Sequence, residues 1–115
     1  MKKSHYEIRI DEEINRFYPE ISKNIEIIPN IPEEKAVLIL NQLLAYACDA
    51  QNVILIWYAK ELIKKMPAEW FRNNVRKAVE LRNGDCWILY LNDPYVYGSL
   101  KDFLNEMNCT DQMPE

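Results

Sequence analysis

The sequence predicts an all-α protein of four to five helices packed as antiparallel α-hairpins, with an N-terminal arm. First, Leu40, Leu43, Leu44 and Ala47 follow the i, i+3, i+4, i+7 spacing of an amphipathic helix. Second, residues that start and stop helices recur at short intervals between positions 32 and 94. Third, only two glycines occur in 115 residues, which disfavours hairpin-rich β folds and glycine loops that cradle phosphate. A chain of this length forms one domain with a sufficient core.

We divide the chain into an N-terminal arm over residues 1–32, a helical domain over 33–108 and a flexible tail over 109–115. In the arm, residues 6–10 alternate like a short strand, and Asp11 is placed to cap a helical turn that Pro19 interrupts. The arm is expected to lie over the core of the helical domain.

The first long helix is predicted to begin after Pro32 and to end near Cys48, with Asp49 as the N-cap of the next helix. Residues 53–59 are seven consecutive apolar residues. A helix that is hydrophobic on all sides must be covered on more than one side, so we expect this segment to be the central helix.

The remaining elements are predicted from residues that end or begin helices. A cleanly amphipathic helix is predicted over 68–82, ended by Asn83-Gly84 as a left-handed C-cap. Residues 86–91 suit a buried strand or a short helix, and we favour helix because a lone strand leaves backbone groups unpaired. Asp93 and Pro94 are the predicted N-cap and first residue of the last helix.

Composition limits the function classes. A net charge of −4 argues against nucleic acid or an anionic membrane as partner. The longest apolar run is far below the ~18 residues of a membrane span, and the N-terminus has no apolar signal-peptide core, so we expect a soluble cytoplasmic protein. Cys48 and Cys86 lie in apolar surroundings and are expected to be buried, whereas Cys109 is expected to be an exposed thiol.

We expect no catalytic, cofactor or metal site. His5 is the only histidine, and no Cys or His spacing suits zinc. The acids at 11–13 and 33–34 are explained by helix starts. Arg72, Arg76 and Lys77 are interpreted as a solvated face rather than a phosphate site.

Aromatic residues stand out at the start of the last helix. Tyr95, Val96 and Tyr97 are consecutive on one predicted helix and cannot all face inward. Exposed tyrosines beside an acid have the composition of an interface hot spot. The candidate interface is therefore Asp93, Tyr95 and Tyr97.

Residues 46–52, leading to 66–70, resemble a loosely defined group of uncharacterised bacterial proteins with HEAT-like helix pairs. The segment 93–97 resembles the place where that group has an aspartate followed by spaced aromatics. The resemblance covers about half of the chain and contains no catalytic motif. It implies an irregular HEAT-like stack of helical hairpins with an immunity-like or other protein-binding role, and it assigns no functional residues.

The leading hypothesis is a non-catalytic protein-interaction domain of a bacterial cytoplasmic protein, of an immunity-like or inhibitor-like kind. The alternative is a homodimeric structural domain in which the exposed aromatics bind a second copy. A third hypothesis, a small-molecule pocket around Cys86 and Trp87, stays open at this point.

Overall fold

The computed structural model describes residues 2–82 and 88–114. Within these ranges the chain is all-α, with no strand, as the sequence predicts. The helices are α1 (His5–Asn15), α2 (Glu33–Asp49), α3 (Val53–Lys64), α4 (Ala68–Glu80) and α5 (Pro94–Glu106). Short 3-10 helices span Pro19–Ser22, Ile25–Asn30 and Thr110–Gln112.

The central helix is α2, which packs against α3, α4 and α5. Twelve of its 17 residues are buried, and from Ile39 to Cys48 no residue faces water. Leu40, Leu43 and Leu44 are fully buried. Because almost every side of this stretch is apolar, it is stable only when neighbours cover it all round, and the buried Asn41 amide donates to the carbonyl of Ala78 at 2.8 Å. The other helices are arranged around this requirement.

The prediction that residues 53–59 form the central helix was wrong. They begin α3, which α2 covers on one side and α1 on another, while Val53 and Trp57 remain exposed. The N-cap also differs from the prediction, because Asn52 and not Asp49 caps α3. Its Oδ1 accepts from the amides of Ile54 at 2.8 Å and Leu55 at 3.3 Å. Because Asn and Asp are equally good N-caps, residue type alone does not distinguish Asp49 from Asn52.

The N-terminal segment is helical where a strand was predicted. Ser4 caps α1 by accepting from the amide of Glu7 at 3.2 Å, so the helix starts well before Asp11. Ile10 and Ile14, one turn apart, face the core. The segment belongs to the single hydrophobic core through six buried isoleucines: Ile10, Ile14, Ile21, Ile25, Ile28 and Ile31. Burial of each such side chain contributes about 1.5–3 kcal/mol.

The C-terminal residues pack against α4 and do not have the frayed form expected for a tail. Arg72 contacts the carboxylate of Asp111, and Arg76 donates to the backbone carbonyls of residues 111–113 at 3.2–3.3 Å. Cys109 is buried, so the prediction of an exposed thiol was wrong. Arg72 and Arg76 of α4 therefore bind the chain's own C-terminal segment, whereas Lys77 pairs with Glu33 at 2.6 Å.

The connection before α5 is described only in part. Residues 88–90 form neither helix nor strand, so the favoured helical turn is absent there, and Leu89 is fully buried. The predicted C-cap at Asn83-Gly84 and the predicted burial of Cys86 lie outside the described residues. The same holds for the pocket proposed around Cys86 and Trp87.

Truncation of α2 tests its central position. We expect Leu44→Ala to lower the free energy of unfolding by about 2–5 kcal/mol, because a fully buried leucine leaves a cavity. Leu38→Ala is the matched control on the same helix, where the side chain is only half-buried and the loss should be smaller. Urea unfolding measures both. Equal losses would contradict the central position of α2.

Candidate interaction surface

Asp93 has a structural role at the start of α5. Its Oδ1 accepts from the amides of Tyr95 at 2.8 Å and Val96 at 3.4 Å, which satisfies two backbone donors that an α-helix leaves free. Pro94 follows as the first helical residue, with its φ angle already suited to the helix. The predicted N-cap is confirmed. The cap holds the first turn of α5 in place and so positions Tyr95.

The two candidate tyrosines of α5 face different surroundings. Val96 is buried and Tyr95 is 71% exposed, so the three consecutive residues do not all face inward, as expected. Tyr97 is 36% exposed, and its hydroxyl donates to the carbonyl of Pro114 at 3.3 Å. Residues two apart differ by about 200° around a helix. The structure therefore brings Asp93 and Tyr95 together but directs Tyr97 towards the C-terminal segment.

Asp49 and Tyr90 complete a surface around Asp93 and Tyr95, and we call these four residues the acidic–tyrosine surface. Asp49 is the last residue of α2, and Tyr90 is 58% exposed. Partial burial, and then the charge of Asp93, raise the pKa of Asp49, whereas a hydrogen bond from the Tyr90 amide opposes the rise. The two carboxylates are thus close enough to repel each other, and the backbone of Tyr90 contacts both acids, since the Asp93 amide donates to its carbonyl at 3.2 Å.

A shallow groove follows this surface along α5. It has a volume of about 340 Å³ and is lined by Pro94, Tyr95, Gly98, Ser99 and Asp102. A Cβ atom added to Gly98 would meet no atom within 4 Å. Glycine inside a helix costs about 0.5–1 kcal/mol relative to alanine, and no close approach of another element requires it here. The groove floor is open to a ligand or partner.

A second exposed apolar surface lies on α3. Val53 is 74% exposed, Trp57 is 53% exposed, and Ile54 lies beside them with an exposed side chain. The ring of Trp57 lies 6.3 Å from that of Tyr58, whose side chain is buried and whose hydroxyl donates to Asp11 at 3.0 Å. The inner side of α3 is thus anchored to α1, while its outer side presents large apolar groups to water.

The residues considered for nucleophilic chemistry are not arranged for it. Burial raises the pKa of the Cys48 thiol to about 12, and its polar neighbours are Lys60 and Ser99. A thiol with such a pKa carries almost no nucleophilic thiolate at neutral pH. His5 lies exposed at the start of α1, with its ring 5.8 Å from the ring of Tyr6. His5 is not among the groups that act on the Cys48 thiol.

Residues 2–82 and 88–114 contain neither a cluster of metal ligands nor a helix able to span a membrane. Among those residues, no group of three or more His, Cys, Asp or Glu side chains could hold a metal ion. None of the helices there has the length and apolar character needed to cross a membrane.

Comparison with protein-family models, curated proteins and solved structures found no match for this chain. The HEAT-like relationship therefore stays a prediction that rests on the resemblance alone.

Sequence reasoning missed Asp49 and Tyr90 because they are distant in the chain from Asp93 and meet it only in the fold. It also missed the exposed side of α3. A signal for that side was present, since seven consecutive apolar residues either lie wholly in a core or leave an apolar face uncovered. The sequence prediction corresponds to the first outcome, and the structure shows the second.

Two substitutions of Asp93 separate its cap from its charge. We expect Asp93→Ala to lower the free energy of unfolding by about 1 kcal/mol, because the amides of Tyr95 and Val96 lose their acceptor. Asp93→Asn keeps the cap and should cost only a few tenths of a kcal/mol. Thermal unfolding of both variants measures the difference.

The pKa of Asp49 reports the effect of the charge of Asp93. In Asp93→Asn we expect the pKa of Asp49 to fall, measured by carbon NMR of its carboxyl group, because a like charge has been removed. A raised native pKa means that the folded state binds more protons, so this term makes stability decline as pH rises from the ordinary aspartate value. An unchanged Asp49 pKa would show that the carboxylates do not interact.

Gly98→Ala tests whether the groove floor is open. We expect the substitution to raise the free energy of unfolding by about 0.5–1 kcal/mol, because alanine favours helix and its methyl group meets nothing. Chemical denaturation is the measurement. A loss of stability would show that Gly98 is needed for packing.

Proposed function

We propose that this chain is a non-catalytic protein-interaction domain that binds a basic segment of another protein at the acidic–tyrosine surface. The observation that carries the proposal is that Tyr90 and Tyr95, both exposed, bond the carboxylates of Asp49 and Asp93 through their backbone amides, so two aromatic side chains and two acids share one surface. Large aromatic side chains dominate the binding energy of protein interfaces, and here most of each ring is open to solvent.

The chemistry of this surface suits a lysine or arginine side chain. A cation placed at Asp49 and Asp93 would relieve their mutual repulsion, and its carbon stem could lie along the ring of Tyr95. A cation over an aromatic face gains about 0.5–1 kcal/mol at an exposed site. The net charge of −4 would also speed encounter with a basic partner.

The wider setting of the proposal comes from the resemblance. A helical scaffold with one acidic and aromatic surface suits an immunity-like or inhibitor-like protein that binds a basic partner in the bacterial cytoplasm. Two features support a role without catalysis. The thiol of Cys48 is held in its unreactive form, and Asp93 serves as a helix cap.

The test is titration of the isotope-labelled chain with a ten-residue peptide of alternating arginine and serine, followed by NMR. We expect amide shifts at Asp49, Tyr90 and Tyr95, and a binding constant that weakens as salt rises. Tyr95→Ala should weaken binding by about tenfold, the effect of an interface hot spot. A peptide of alternating glutamate and serine should not bind.

Tyr97→Ala is the matched control, because this tyrosine lies on the same helix but contacts Pro114. It should leave peptide affinity unchanged. Equal losses in Tyr95→Ala and Tyr97→Ala, or shifts confined to the acids at 33–34, would contradict the proposed site. The alternative function, self-association, is favoured by a different observation, the apolar outer side of α3.

A further inference from the structure

The outer side of α3 has two chemically different halves. Val53, Trp57 and Lys64 are spaced i, i+4 and i+11, so they lie on one face of the helix, and we call them the α3 stripe. Its first half is apolar and exposed. Its second half ends in the exposed cation of Lys64, whereas the amine of Lys60 lies over the ring of the buried Phe103 on α5. The stripe extends about 16 Å along the helix axis.

Acidic groups lie beyond the apolar end of the stripe. Asp49 ends α2 just before α3 begins, and Asp93 lies close enough to influence its ionisation. The amine of Lys60 lies 5.4 Å from the centre of the Phe103 ring on α5, the helix that Asp93 caps. From the end of α2 along α3, the order is therefore an acid at Asp49, apolar groups at Val53 and Trp57, and a cation at Lys64.

We propose that the α3 stripe is the docking site for a second copy of this chain, packed antiparallel about a twofold axis between Val53 and Trp57. A twofold contact uses the same patch on both copies, so the patch must complement itself. Antiparallel packing meets this condition. The apolar halves cover each other, and Lys64 of each copy approaches Asp49 and Asp93 of the other.

The order of charges favours a second copy over other occupants. A partner helix of one charge sign would match one end of the surface and repel the other, and parallel packing would place like charges together. The stripe is smaller than the ~800 Å² per partner of a standard stable interface. The dimer is therefore reversible and depends on concentration. This inference goes beyond the proposed function but involves the same carboxylates.

The decisive variant is Val53→Glu. Residue 53 is the first of α3, where a glutamate is favourable to the helix, so the variant folds. At the proposed dimer axis, however, each copy would bury a carboxylate against apolar groups. Sedimentation equilibrium of the full chain should show mass rising from 13.7 kDa towards twice that value with concentration. In Val53→Glu the dimerisation constant should fall about tenfold or more.

Ala68→Glu is the matched control, since it places the same charge at the exposed first residue of α4. It should dimerise like the original chain. A chain that remains monomeric up to millimolar concentration would overturn the inference. So would a Val53→Glu variant that dimerises as well as Ala68→Glu.

Charge exchange tests the antiparallel geometry. Lys64→Glu and Asp49→Lys should each weaken self-association, because each places like charges across the interface. An equimolar mixture of the two variants should associate more strongly than either alone, since both contacts between unlike copies again join opposite charges. Circular dichroism confirms that both variants are folded. Two folded variants that do not associate more strongly when mixed would overturn the antiparallel arrangement.

Different experimental outcomes would contradict the two proposals. Val53→Glu leaves Tyr90, Asp93 and Tyr95 intact, so the monomeric variant should still bind the arginine–serine peptide. Loss of the dimer with retained peptide binding supports both proposals. A wild-type chain that binds peptide but never dimerises overturns only the self-association, and a monomeric Val53→Glu variant that binds no peptide overturns only the proposed function.

Discussion

The structure depends on one constraint, which is that no side of α2 is open to water over residues 39–48. A helix whose residues 39–48 are all buried cannot exist without neighbours on every side, so α3, α4 and α5 must all contact it. The remaining elements adjust to that requirement. Helix α1 packs on α3, and the isoleucines of the N-terminal segment extend the same core. Because the apolar groups that pack on α2 cannot also cover α3, the outer side of α3 stays exposed to solvent.

Local signals were sufficient for much of the fold. The proline and acids at residues 32–34 marked the start of α2, and Asp93 with Pro94 marked the start of α5, because capping is chemistry between near neighbours in the chain. How deeply each helix is buried in the core is not determined by near neighbours in the chain. Both α2 and α3 are rich in apolar residues, and only tertiary packing decides which one is covered on all sides. The same limit applies to Cys109, whose burial depends on contacts with distant residues.

Each candidate surface keeps a feature that is unfavourable for the stability of the isolated chain. Asp49 and Asp93 are like charges held close together, Gly98 weakens the helix it occupies, and Val53 and Trp57 expose apolar area to water. Sites that break local rules of stability are where function is expected. From sequence, Asp93 and Tyr95 could be selected because they adjoin in the chain. Asp49 and Tyr90 could not, since their proximity to Asp93 is a property of the folded state.

The central claim is that the outer side of α3 is open in the monomer and covered by a second copy. Fluorine NMR of the chain with 5-fluorotryptophan tests it directly, with the Trp57 signal assigned through Trp57→Phe. At low concentration the account predicts a solvent isotope shift for Trp57 between light and heavy water, which reports contact with solvent. At high concentration that shift should shrink as the dimer forms. A Trp57 signal with no isotope shift at any concentration would contradict the open face, and a shift independent of concentration would contradict its covering.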